Sequence, residues 1–238
     1  MTGKLYGVGV SVGDPELLTL KAIRVIKECD IIAIPKEKKE ECIAWQIVEK
    51  VIDGIEEKPI LPIHMPMTKD KTLLEESHME GARLIAEQLQ QGKNIAFLTI
   101  GDPCVYATYM YVHKIIAKRS FETEIISGVT SFCAAAAAIN IPLCEEDQEL
   151  HIIPSSYGIE NALDYKGVKV LMKGASKLPQ IIHEINKKSQ YTPMDVYMVE
   201  NCGMKDQKVY GSLEQILQKD MKQISYYTTM IIKEKKDD

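Results

Sequence analysis

The residues best suited to chemistry in this chain occur in two short turns of the same composition. Gly13-Asp14-Pro15 and Gly101-Asp102-Pro103 each follow a short run of apolar residues. Glycine frees the backbone from the limits a Cβ imposes. Aspartate is a strong helix N-cap, and proline suits the first helical position. Each turn is therefore predicted to carry the chain from the end of a buried strand into a helix. In open α/β sheets the crevice outside the carboxyl ends of the strands is where small ligands bind. Backbone groups there can hold the polar ends of a small molecule, and apolar neighbours can hold a ring. Turn chemistry alone explains an isolated Gly-Asp-Pro; the functional reading rests on what accompanies it. A third such segment, Ser127-Gly128-Val129-Thr130-Ser131, joins a predicted strand to a helix that Thr130 or Ser131 would cap.

The elements that must position these turns alternate. Lys4–Val10 reads as a strand, and the apolar face from Leu17 to Ile26 as a helix running from Pro15 to about Cys29. Ile31–Ile34 is a buried strand stopped by Pro35, and Lys36–Glu41 a charged loop. Ala44–Ile52, with Trp45, is a helix. Ile60–Met67 holds too many prolines for a central strand and reads as an extended edge. Lys71–Gln91 is a long amphipathic helix stopped by Gly92, with His78 a packed or surface histidine and no partner at metal spacing. The central strand Ile95–Ile100 leads through Gly101 into a helix over Val105–Lys118, and Glu122–Ile126 is the next strand. The alanine run 134–138 either packs a helix closely on its neighbour or leaves room for a ligand, and Asn140 and Pro142 end that helix.

An acidic linker, Leu143–Gln148, separates an N-terminal domain over 1–143 from a C-terminal domain over 149–238. The second half resumes the alternation. Its predicted strands are Leu150–Ile153, Val168–Met172, Asp195–Val199, Gln207–Tyr210 and Tyr227–Ile232, and its helices are Leu178–Lys188 and Leu213–Met221. The tail Lys233–Asp238 is predicted to fray.

Composition narrows the class. With 238 residues, 45% hydrophobic and 26% charged, the chain reads as a globular enzyme of one large or two smaller domains. A net charge of −5 argues against a nucleic-acid partner. The six cysteines form no C-x-x-C pair, so neither a zinc site nor a redox motif is expected. No apolar run approaches the roughly 18 residues of a spanning helix, and MTGKLYGVGV lacks the features of a signal peptide. A cytoplasmic protein with no membrane partner is expected. Glycines 7, 9 and 13 are spaced G-x-G-x-x-x-G, one residue longer than a dinucleotide fingerprint. The strand at 31–34 also ends in Pro35-Lys36 rather than in an acid that could hold a ribose, which argues against a nicotinamide cofactor.

Taken in order, the glycine-rich first strand with Gly13-Asp14-Pro15, then TIGDPCVYATYMY, GVTSFCAAAA, KVLMKGA and Glu200-Asn201-Cys202 resemble the tetrapyrrole methylase family over essentially the whole chain. At finer grain they are similar to the branch that methylates C20 of precorrin-2 or cobalt-precorrin-2. One departure is Ser11-Val12, where the family usually reads Gly-Pro; it lies in the loop beside the implied tetrapyrrole trough.

The resemblance implies two α/β domains with the active site in the cleft between them, a homodimer, and S-adenosylmethionine as methyl donor. By position, Gly101, Asp102, Val105, Tyr106, Thr130, Ser131, Met172, Asn201, Cys202, Thr228 and Thr229 would contact the donor. Gly13, Asp14, Pro15 and Lys36 would contact the reduced tetrapyrrole, with Lys38, Lys39 and Arg83 as further cations for its carboxylates. Asp102 could act as a cap or accept from the ligand. A meso carbon attacks the sulfonium methyl directly, so no protein nucleophile is required, and no protein-held metal is expected. A base for the departing proton stays unassigned among Tyr106, Tyr109, His64 and Glu200. The rival readings are a family member acting on uroporphyrinogen III, on C11 or C17 of a precorrin, or on diphthine, and a non-enzymatic tetrapyrrole carrier.

Overall fold

The computed structural model describes residues 1–155, 162–174, 177–220 and 223–235. The chain divides into two compact units, Met1–Thr130 and Ser131–Asp238.

The first unit is built on β1 (Leu5–Gly9), β2 (Ile31–Ile34), β3 (Ile60–Pro62), β4 (Ile95–Thr99) and β5 (Thr123–Ile126), with α1 (Leu20–Glu28), α2 (Ile43–Val48), α3 (Lys71–Gln90) and α4 (Tyr109–Lys118) between them. The strands pair in the order β3-β2-β4-β1-β5, all parallel. Such a sheet is buried on both faces, and the strands read accordingly as near-continuous apolar runs. Alternate residues serve opposite faces. Val8, Ala96 and Leu98 pack with α1 and α2, including the buried Trp45. Leu5, Ile95 and Phe97 pack with α3 and α4, including Tyr109. β3 is an edge strand, as its prolines require. The chain leaves β1 toward one edge of the sheet and β4 toward the other. The carboxyl ends of these adjacent strands are therefore a topological switch point, where open α/β sheets take their ligands.

The second unit starts with α5 (Ser131–Ile139) and carries β6 (Leu150–Pro154), β7 (Val168–Met172), α6 (Leu178–Ser189), β8 (Met194–Glu200), β9 (Lys208–Tyr210), α7 (Leu213–Leu217) and β10 (Thr228–Glu234). Its sheet runs β6-β7-β10-β8-β9. β6 and β7 are parallel, while β10 lies antiparallel between β7 and β8. The carboxyl ends of β6, β7 and β8 and the amino end of β10 consequently share one edge. α5 packs against β8 and β10 and so falls with this unit, and the acidic linker lies within the unit rather than ahead of it. Of the predicted helix Leu213–Met221, Met221 lies outside the described residues, as do residues 236–238 of the predicted tail.

Two helix starts differ from expectation. Asp14 caps only a short 3-10 turn, Pro15–Leu17, by accepting from Glu16 N at 2.9 Å; α1 begins at Leu20 and is capped by Thr19, whose Oγ1 accepts from Ala22 N at 3.1 Å. Pro103 likewise opens a turn, not α4. Tyr106 is held at φ +50°, a conformation no helix continues through, and α4 starts only at Tyr109.

Candidate active site

Three loops meet at the carboxyl edge of the first sheet, and short backbone contacts hold them together. Gly101 N donates to Ser11 O at 2.7 Å, an isolated antiparallel bridge just beyond the parallel pairing of β1 with β4. A Cβ on Gly9 would lie 2.6 Å from both Gly101 O and Gly128 N, and one on Gly128 would lie 2.3 Å from Gly101 O. These two glycines are there because the loops touch. Gly101 differs. Its φ is +73°, and an ideal Cβ on it meets no atom within 4 Å. This glycine supplies the conformation and leaves space beside it.

Asp102 joins two of the loops. Its Oδ1 accepts from Cys104 N at 2.8 Å within its own turn, and Oδ2 accepts from Gly128 N at 3.1 Å in the loop after β5. Sequence alone left Asp102 open between cap and ligand acceptor; here it caps the turn and ties the loops. Ser11 does similar work and was missed as a functional residue. It is fully buried at φ +59°, its Oγ donates to Leu17 O at 2.8 Å, and the same oxygen accepts from Val129 N at 3.0 Å. The signal was present as the departure from Gly-Pro, since a position that favours glycine is one with positive φ. Thr130 Oγ1 is buried without a hydrogen-bond partner. Such an atom is costly unless a ligand or water satisfies it.

Gly13 (φ +51°), Asp14 and Pro15 stand at the same edge, beyond β1, and Lys36 is exposed just past the end of β2. Val105 is partly buried and Tyr106 is 43% exposed in the turn before α4. Lys39 lies over the Trp45 ring at 5.3 Å. Arg83 is spanned by Glu80 and Glu87 on the exposed side of α3, which makes it a surface charge already matched on its own helix.

In the second unit the remaining predicted residues also collect at one sheet edge. Met172 ends β7 and is followed by Lys173 at φ +54°. Asn201 follows β8 at φ +51°, and its N donates to Tyr227 O at 2.9 Å, next to Thr228. Its Nδ2 donates to Asp206 Oδ2 at 2.5 Å. Cys202 is partly buried in the same turn. Thr228 Oγ1 donates to Ser225 O at 2.6 Å, and Thr229 Oγ1 donates to Ser131 Oγ at 3.5 Å across to α5. Neighbours along a strand face opposite ways, so these two hydroxyls serve opposite faces of the sheet.

The candidates for a base separate clearly. Tyr109 is fully buried against Gly7, with its OH 3.0 Å from His113 Nδ1, and burial pushes its pKa far above the usual phenol range. It is a core residue. Burial raises the Glu200 carboxyl, but hydrogen bonds from Ser225 N, Lys219 and Tyr210 outweigh that, and its pKa ends below the usual value. A carboxylate so held is a poor proton acceptor. His64 is exposed, with Nδ1 3.0 Å from Glu37 Oε1, and Tyr106 stays beside the switch point. Among the described residues no cluster of three or more His, Cys, Asp or Glu could hold a metal ion, and no helix is long and apolar enough to cross a membrane.

Glycines, hydroxyls and left-handed turns gathered at strand ends are the marks of an α/β enzyme whose small ligands meet the sheet edge. Residues 4–217 match the family described as tetrapyrrole (corrin/porphyrin) methylases. The chain belongs to that family and is a methyltransferase. It is 38% identical over 215 residues to a probable cobalt-precorrin-2 C(20)-methyltransferase of Methanocaldococcus jannaschii, covering 90% of this chain and 89% of the relative. It is 31% identical to the cobalt-precorrin-2 C(20)-methyltransferase of Salmonella typhimurium, covering 76% and 77% of the two chains. The fold matches that of a uroporphyrin-III C-methyl transferase from Thermus thermophilus, solved as a complex with S-adenyl homocysteine, at a TM-score of 0.67 over 97% of each chain with 20% identity.

Proposed function

We propose that this chain methylates C20 of precorrin-2 or cobalt-precorrin-2 in cobalamin synthesis, with S-adenosylmethionine as donor. The observation that carries the reading is the 38% identity to the Methanocaldococcus relative across nearly the full length of both chains. The donor takes the space beside Gly101, with Thr130 Oγ1 as a hydrogen-bonding atom that otherwise lacks a partner. Val105, Tyr106, Ser131, Met172, Asn201, Cys202, Thr228 and Thr229 complete the donor contacts. Gly13, Asp14, Pro15 and Lys36 face the tetrapyrrole, whose carboxylates the lysine would meet. The enzyme acts in the cytoplasm as a homodimer.

The C20 meso carbon attacks the sulfonium methyl. A carbon–carbon bond forms as the sulfur–methyl bond breaks, S-adenosylhomocysteine leaves, and the meso proton is lost afterwards. The protein supplies alignment rather than a nucleophile. Well-aligned intramolecular reactions gain about 7–11 kcal/mol, and a rigid pair of strand-end loops can capture part of that. Tyr109 and Glu200 are committed to packing and ion pairing, which leaves Tyr106, His64 and solvent to take the proton.

A substrate panel tests this. Purified chain is given S-adenosylmethionine with precorrin-2, cobalt-precorrin-2 or uroporphyrinogen III, and products are weighed by mass spectrometry. A trimethylated product from either precorrin supports the reading. Turnover of uroporphyrinogen III alone, or tetrapyrrole binding without donor binding, would overturn it.

A further inference from the structure

We propose that Glu200 is a positioning residue for the methyl donor: acting through Ser225, it fixes the Asn201–Cys202 turn against the start of β10. This rests on the donor reading above. Glu200 is 2% exposed at the end of β8. Its Oε2 accepts from Lys219 Nζ at 2.9 Å and from Tyr210 OH at 3.0 Å, and its Oε1 accepts from Ser225 N at 3.0 Å. Ser225 passes the constraint on. Its Oγ donates to Asn201 Oδ1 and accepts from Tyr227 N at 3.1 Å, while its carbonyl accepts from Thr228 Oγ1. Asn201 N returns to Tyr227 O at 2.9 Å, which closes the circuit. One carboxylate thus governs, at one remove, two of the segments of this unit that are assigned to the donor, the Asn201–Cys202 turn and the start of β10.

Two features favour positioning over plain stabilisation. A buried ion pair is weak evidence for stability, because well-packed apolar residues of the same volume often do as well. Its value lies in specifying one geometry, and Asn201 needs such specification. Asparagine takes φ +51° more readily than other non-glycine residues, but its side chain there is fixed by Ser225 Oγ on one side and Asp206 on the other. All three polar partners of Glu200 converge on a side chain that is almost wholly buried. That explains an acid at this place without giving it a proton to move.

The test measures S-adenosylhomocysteine affinity by calorimetry, and KM for the donor against kcat, in the native chain and in Glu200→Gln and Ser225→Ala. Ser225→Ala removes the relay while leaving the ion pair intact, so it reports even if Glu200→Gln fails to fold. The expected result is a folded Ser225→Ala chain with donor affinity weakened about tenfold, KM raised to match and kcat at saturating donor nearly unchanged. Lost thermal stability with native affinity and KM would overturn the proposal and leave a structural role. The native chain is the control for the underlying reading. If it binds no S-adenosylhomocysteine, donor site and proposal fall together. If it binds and Ser225→Ala binds equally well, the proposal alone falls.

Discussion

Gly101→Ala separates backbone conformation from ligand space. Gly101 sits at φ +73°, where an L-residue costs about 1–2 kcal/mol. In a chain of this length each kcal/mol moves Tm by about 2–4 °C, so the substitution should lower Tm by about 2–8 °C. No atom lies within 4 Å of the added methyl, so no packing penalty adds to this. Gly54 is the matched control: its φ is +72° and its Cβ also meets nothing within 4 Å, but it lies in an exposed turn between α2 and β3, remote from the strand ends in sequence and fold. Gly54→Ala should cost the same stability. Only Gly101→Ala places a methyl where the donor is proposed to lie, and it should weaken S-adenosylhomocysteine binding at least about tenfold, a difference of about 1.4 kcal/mol. Differential scanning fluorimetry and calorimetric titration on the two variants give both numbers. If both lose the expected few degrees and both keep native affinity, the space beside Gly101 is not the donor site.

Ser11 permits a signed comparison by chemical denaturation. Ser11→Ala keeps the φ of +59° and loses both hydroxyl hydrogen bonds, each worth about 0.5–1.5 kcal/mol; Ser11→Gly loses the same bonds but relieves the backbone, so it should be the more stable variant by about 1 kcal/mol. His78 stacks on Tyr111 at 4.5 Å with Nε2 buried and unpartnered, so His78→Phe keeps the stack, removes the orphan and should raise stability by about 1 kcal/mol. Burial holds the His78 pKa below its usual 6.5; its contribution to stability is therefore complete above pH 6.5 and lost as pH falls through the lower folded value. Thermal melts between pH 7 and 5 should show a shallower acid loss in His78→Phe than in the native chain, and parallel curves would refute the assignment.

What could be read from sequence and what could not divides along physical lines. Strands buried on both faces announce themselves as apolar runs, and β1, β2 and β4 lie where Lys4–Val10, Ile31–Ile34 and Ile95–Ile100 were expected. The stop of α3 was legible because Gly92 takes φ +79°. The starts of α1 and α4 were not, because Asp14 and Asp102 are equally good caps for a single turn and for a helix. Thr19 and the strained Tyr106, not the Gly-Asp-Pro motif, decide where α1 and α4 begin. The antiparallel placement of β10 between β7 and β8 was equally hidden, since it joins segments far apart in the chain and leaves no local periodicity. The residues proposed for the site lie at strand ends and glycine turns, which sequence marks. Their division of labour was not legible. Whether Asp102 caps or binds, and whether Glu200 reacts or positions, depends on partners such as Gly128 N and Lys219 Nζ that are distant in sequence.

The backbone gives an argument for the site that is independent of family resemblance. Left-handed residues other than glycine cost energy and persist only where the surroundings hold them. Some here have ordinary reasons: Asn140 ends α5, and Ser120 follows α4. Ser11, Tyr106, Lys173 and Asn201 have none of that kind. Each lies just beyond the carboxyl end of a central or near-central strand, respectively β1, β4, β7 and β8. A fold seeking only stability would place glycine in those turns, as it does at Gly13, Gly101 and Gly203 along the same edges. Keeping larger side chains there at a cost in strain is reasonable if the side chains are needed. For Ser11 and Asn201 the need is visible in the hydrogen bonds that lock one loop to the next. The same logic makes Tyr106 and Lys173 the next residues to substitute. If glycine at either position raises stability and lowers turnover, the strain serves the reaction.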